Sequence, residues 1–164
     1  MLPFGWPLFF ALLLTWALIS LTFIDFDTML LPDQITLPLL WLGLLINING
    51  TFVGLTDAVL GAAFGYLSLW SIYWIFKLLT GKEGMGGGDI KLLAMIGAFL
   101  GWKAVVFTIF AGSATGTLVG AIVVLGKGGG RKLAVPFGPF LSLGALLFIF
   151  FGPQFIDWYL GLMM

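Results

Sequence analysis

Long apolar stretches alternate with short polar breaks along this chain, and the breaks carry nearly every charge. A helix crossing a bilayer needs roughly 20 mostly apolar residues. On that scale six spans are predicted: Trp6–Ile24, Ile35–Ile48, Ala58–Leu79, Ile90–Trp102, Ala104–Leu125 and Phe137–Phe151. The second, fourth and sixth fall short of a full crossing. A terminal stretch, Phe155–Met164, holds Trp158 and Tyr159 and is predicted to be an interfacial tail at headgroup depth. The opening run, Met1 to Ser20, has no basic n-region and no clean small-x-small site, so it is predicted as a retained span and not a cleavable signal.

Composition supports this pattern. The 164 residues are 61% hydrophobic and 9% charged, with mean hydropathy +1.17, whereas soluble domains carry about 25% charged residues. The expectation is an all-α, polytopic membrane helix bundle of about six transmembrane helices, forming a single membrane-embedded domain over residues 1–164. Formal net charge is zero, and no basic stripe suggests nucleic acid. Cysteine and histidine are both absent. That removes disulfides, thiol nucleophiles, imidazole bases and the usual zinc sites, so neither a metal nor a cofactor is expected. Any chemistry must use carboxylates, hydroxyls, lysines or the backbone.

The basic residues set an orientation. With the loops after spans one, three and five on the cytoplasmic side, every lysine and arginine except Lys103 lies inside. The opposite orientation reverses this, and positive charge concentrates in cytoplasmic loops. Asp25–Asp33, Lys82–Asp89 and Lys127–Lys132 then share the cytoplasmic face, with both termini outside.

Acidic residues are the remaining candidates. Asp33 follows Pro32 before the second span and reads as a helix N-cap. Asp27 reads as solvated, Glu83 as a wet loop residue beside Lys82, and Asp57 and Asp157 fall on the outer side. Asp25 directly follows Leu21–Ile24, at the inner end of span one. Asp89 ends the glycine-rich stretch "GKEGMGGGD" at the start of span four. Taken singly, each could be a span anchor or a cap. Taken together, both face the same side, and ionisable groups at a membrane edge tend to be satisfied or functional. If spans one and four are neighbours, the two carboxylates can share one proton. The ionised member then deprotonates water while the protonated member polarises a peptide carbonyl. Glycines beside Asp89 let backbones approach closely. Their plain alternative is a flexible connector.

Three stretches carry a resemblance. "GMGGGDIKLLAMIGAFLGW" (Gly84 to Trp102) resembles the GxGD signature of type IV prepilin peptidases, with Gly86, Gly88 and Asp89 in the signature places. "FIDFDTMLLPDQITLPLLWLGLLIN" (Phe23 to Asn47) is similar to their other signature, and "AVPFGPFL" (Ala134 to Leu141) to a third, less diagnostic one. The similarity runs from about residue 5 to residue 150. It implies a GxGD-type membrane aspartic endopeptidase of the bacterial inner membrane. Such an enzyme removes the basic leader from type IV prepilins or type II secretion pseudopilins at the cytoplasmic face, cutting after a glycine. Asp25 and Asp89 carry over as the catalytic pair, and Gly86 and Gly88 as substrate- or loop-positioning residues. Implied partners are the prepilin or pseudopilin substrate and membrane lipid. Many members also methylate the new N-terminus and carry a cysteine-containing segment that binds zinc. The chain begins past that segment and lacks cysteine, so either a naturally short, peptidase-only form or a trimmed chain is expected, without methylation.

Two rival readings remain open. A proton-coupled transporter or channel also uses paired intramembrane carboxylates and glycine-broken helices. A non-catalytic scaffold would tolerate replacement of both aspartates. Two further stretches invite packing or anchoring roles. "AGSATGTLVGA" (Ala111 to Ala121) reads as a close helix–helix face, and "GKGGGRK" (Gly126 to Lys132) as a basic connector on the inner leaflet.

Overall fold

In a computed structural model describing residues 4–126 and 135–163, the chain forms six α-helices and one short 3₁₀ turn. They are α1 (Trp6–Thr28), α2 (Asp33–Ile46), the 3₁₀ turn (Asn47–Asn49), α3 (Leu55–Thr80), α4 (Gly87–Leu100), α5 (Trp102–Gly126) and α6 (Gly138–Met163). Four of them, α1, α3, α5 and α6, are long and apolar enough to cross a membrane. The chain is a multi-pass, all-helical membrane protein. The basic connector predicted over Lys127–Lys132 lies outside the described residues.

The short elements have a role that hydropathy did not separate from crossing. Every residue of α4 from Asp89 to Leu100 is buried, except the partly exposed Lys91. A helix that is apolar all round belongs in a protein interior or a bilayer, and here it is an interior. α2, α3, α5 and α6 surround α4, while α1 packs on α6. Leu14, Leu18 and Leu21 of α1 join Leu92, Leu93, Met95, Ile96 and Phe99 of α4 in one core. Large apolar side chains such as Phe110, Leu118 and Ile122 of α5 face outward, as a lipid-facing surface requires.

Lipid tails are as apolar as leucine, so close packing holds such a bundle together. The α3–α4 crossing illustrates it. A Cβ on Gly61 would strike the Gly97 carbonyl, and a Cβ on Gly97 would strike Gly61. A Cβ on Gly65 would lie 2.6 Å from Leu93 O. Only hydrogen atoms fit between these backbones. The predicted small-residue face of the fifth span is used in part. Gly112 is buried, and a Cβ there would lie 3.2 Å from Phe140 O of α6, whereas Ser113, Thr117 and Leu118 stay exposed.

Asn47 secures the far end of α4. Its Nδ2 donates to Ala98 O and Phe99 O, each at 2.9 Å. Its Oδ1 accepts from the amides of Phe52 at 2.9 Å and Val53 at 3.2 Å. The last carbonyls of a helix have no partner inside it, and this fully buried side chain supplies one. Gly101, at φ 83°, then turns the chain into α5 in a conformation that favours glycine.

Several boundaries differ from the sequence expectation. α1 continues through Asp25 to Thr28, so Asp25 lies in its last turn and not beyond it. Gly87, Gly88 and Asp89 belong to the first turn of α4 and not to a loop. Asp33 is the first residue of α2; Pro32 is its N-cap, and no side-chain cap bond forms. The expected interfacial tail is the continuation of α6 to Met163, with Pro153 inside it. Proline is tolerated in membrane helices because neighbouring groups and small local adjustments satisfy the freed backbone.

Candidate active site

The two expected aspartates meet where three helix ends converge. Asp25 sits in the last turn of α1, where its carbonyl accepts the Met29 amide at 2.9 Å. Met29 closes the helix in the left-handed conformation at φ 56°, the one non-glycine residue with positive φ among those described. Asp89 sits in the first turn of α4, which Gly86 precedes in an extended conformation. The third end is the start of α6, at Gly138.

Gly138 fixes the geometry of the pair. A Cβ on it would fall into the Asp25 carboxylate and would also lie 3.3 Å from Asp89 Oδ1. One point therefore touches both acids, and their nearest oxygens are at most about 6 Å apart, within the range where like charges oppose joint ionisation. The Gly138 amide faces the Asp25 carboxyl. Both residues are buried, at 4% and 7% exposure. Asp25 Oδ2 is fully buried and lacks a hydrogen-bond partner among the described residues. A buried carboxyl oxygen without a partner is costly, and it is the kind of group a reaction uses.

A cavity of about 700 Å³ opens over the pair. Its walls are Asp25, residues 29–31, residues 83–89 and residues 135–137. Clefts of this size hold ligands. Among the described residues, no group of three or more Asp, Glu, His or Cys side chains could hold a metal ion.

The glycines differ from one another. A Cβ on Gly88 would lie 2.7 Å from Leu31 Cβ, so Gly88 is a notch that admits the loop between α1 and α2. A Cβ on Gly86 or Gly87 would meet nothing within 4 Å, although both line the cavity. Gly86 leaves the wall bare without being forced to by its own fold. Glu83 is also more engaged than a wet loop residue. It accepts from Tyr73 Oη at 3.1 Å and pairs with Lys77 at 3.4 Å, while Gly84 packs on the Phe76 ring. These contacts pin the glycine loop to the end of α3.

Asp27 is exposed on the opposite side of the turn, and Asp33 points to Lys91; neither joins the pair. Gly138 is the residue that sequence reasoning did not single out. Its signal was present in "AVPFGPFL", where a glycine between two prolines precedes an apolar run. That pattern reads as an ordinary helix start, because nothing local indicates what the missing side chain makes room for.

Comparison with known proteins places this geometry in context. The family model for the type IV leader peptidase family matches residues 12–121, a stretch that includes both aspartates. The prepilin leader peptidase/N-methyltransferase of Aeromonas hydrophila is 54% identical over 156 residues, covering 95% of this chain and 54% of that protein. The protein of the same name from Pseudomonas aeruginosa is 48% identical over 157 residues, 96% of this chain and 54% of its own length. That of Legionella pneumophila is 48% identical over 154 residues, 94% of this chain and 54% of its own length. The chain thus spans about half the length of the curated relatives it matches. No solved structure matches it.

Proposed function

Because the chain belongs to the type IV leader peptidase family, we propose that it is a membrane aspartic endopeptidase in which Asp25 and Asp89 are the catalytic pair. Its substrates are type IV prepilins or pseudopilins, from which it removes the leader by cutting after a glycine. It works in the bacterial inner membrane, with the cavity on the cytoplasmic side. The methyltransferase activity in the relatives' names is not carried over to this stretch of chain.

The observation that carries the reading is the convergence at Gly138, where one missing side chain leaves two buried carboxyls side by side beneath a cavity. The chemistry follows from one proton shared between them. The ionised carboxylate takes a proton from water, and the resulting hydroxide adds to the scissile carbonyl carbon. The protonated partner gives its proton to the carbonyl oxygen, forming a neutral gem-diol. As the diol collapses, the first carboxyl returns its proton to the amide nitrogen and the C–N bond breaks. The second carboxylate regains a proton from the diol hydroxyl, which restores the starting state. Gly86 and Gly88 support this in two ways: Gly86 leaves room for an extended peptide backbone along the wall, and Gly88 lets the loop that follows the helix of Asp25 close on α4.

Ion coupling through paired carboxylates is less well supported. The aspartates lie at helix ends, the last turn of α1 and the first turn of α4, and not midway along a crossing. The test is cleavage of a purified, leader-bearing prepilin in detergent. Asp25→Asn and Asp89→Asn each abolish it while leaving the helical content intact, and Asp27→Asn cleaves normally. Near-normal turnover by either of the first two would remove the dyad from the mechanism.

A further inference from the structure

Asp33 does not cap α2, although its place after Pro32 predicts that it should. Its Oδ2 instead pairs with Lys91 Nζ of α4 at 2.6 Å, across 58 positions of sequence. Each partner lies just beyond one of the two acids. Asp33 opens α2 after the short loop that follows α1, and Lys91 follows Asp89 on α4. Between them, Leu31 is buried in the notch left by Gly88. The segment that follows the helix of Asp25 is therefore joined to the helix carrying Asp89 at two adjacent points, one apolar and one ionic.

We propose that the Asp33–Lys91 ion pair is a positioning device that sets the separation of the two catalytic aspartates. This rests on the dyad reading above. The pair is half open to solvent, with side-chain exposures of 52% for Asp33 and 32% for Lys91. Exposed pairs contribute little stability, so the bundle does not need this one in order to fold. Its value is geometric. Leu31 in its notch fixes how close that segment lies to α4, yet an apolar contact allows sliding along the groove. A short ion pair between fixed backbone points removes that freedom. The same assignment explains a cation beside a site already rich in carboxylates: Lys91 is committed to Asp33 and is not available to the substrate.

The experiment uses the full chain in detergent with a purified, leader-bearing prepilin, measuring kcat, KM and melting temperature. Asp33→Asn keeps a good helix-start residue and removes the charge; Lys91→Gln removes the other charge. Each lowers kcat about tenfold, the scale expected when reacting groups shift by a fraction of an ångström. KM stays within about twofold and melting temperature within a few degrees, because an exposed pair contributes little to stability. Lys91→Arg retains activity, and the reversed pair Asp33→Lys with Lys91→Asp recovers most of the kcat lost in the single variants. The inference is overturned if Asp33→Asn and Lys91→Gln keep wild-type kcat while Asp25→Asn is inactive, in which case the dyad stands without the latch. It is also overturned if only KM moves, or if the single variants unfold and the reversed pair restores folding without restoring kcat. Turnover by Asp25→Asn would instead sink the dyad reading itself.

Discussion

Replacing Gly138 by alanine adds one methyl group at the point where the two acids meet. The added carbon would overlap the Asp25 carboxylate and lie 3.2 Å from Asp25 Cγ and 3.3 Å from Asp89 Oδ1. Non-bonded carbon contacts are comfortable near 3.5–4.0 Å, so the Asp25 carboxyl must retreat by about 1 Å. A misplacement of that size costs about 100-fold in rate, equivalent to about 2.7 kcal/mol in activation free energy. The backbone has no objection, since Gly138 is not among the glycines with positive φ. Alanine also favours the helix it begins. Gly138→Ala is therefore expected to lose about 100-fold in kcat for a prepilin substrate, with the melting temperature in detergent unchanged or slightly raised. Wild-type turnover by Gly138→Ala would show that Asp25 and Asp89 do not work from the positions described. A large fall in melting temperature would show that the glycine serves folding and not the site.

Three further outcomes follow from the same geometry. Gly88→Ala presses on Leu31 and is expected to lower both stability and kcat, whereas Gly86→Ala folds normally and raises KM; thermal melts and Michaelis kinetics of the two variants separate these roles. Asn47→Ala leaves the carbonyls of Ala98 and Phe99 and the amides of Phe52 and Val53 without their partner, a loss of about 2–4 kcal/mol; denaturant titration in micelles checks it, and a loss below about 0.5 kcal/mol would refute the capping role. Cleavage needs one proton on the pair, so kcat/KM falls at low pH when both carboxyls are protonated and at high pH when both are ionised. The resulting bell belongs to the pair and not to either residue, and Asp27→Asn leaves its limbs in place.

How much of this was legible in the sequence depends on whether the deciding contact was local. α1, α3 and α5 stand out because length and apolarity are properties of a segment alone. α4 shows the limit: a short, mostly apolar segment looks the same to a hydropathy scan whether lipid or protein surrounds it. The acids were recognisable by type and by placement at segment ends. Their adjacency was not, because it depends on how α1, α4 and α6 cross. The glycines illustrate the same point more finely. Gly86 and Gly88 are identical letters in one motif, yet one faces the cavity and the other a leucine from a distant loop. Asp33 misled because a local rule, capping, was outcompeted by a partner 58 positions away.

The brevity of α4 bears on where the proposed hydrolysis obtains its water. At 14 residues and 1.5 Å per residue, it is about 21 Å long, while the hydrocarbon layer is about 30 Å thick. It therefore falls roughly 9 Å short of a full crossing. The 700 Å³ space above Asp25 and Asp89 opens at that helix's first turn and is floored by the two acids. On the proposed peptidase reading, that space brings the attacking water to the acids without wetting the rest of the bundle. On the same reading, the scissile bond of a prepilin reaches the acids while the apolar segment that follows it stays in the membrane.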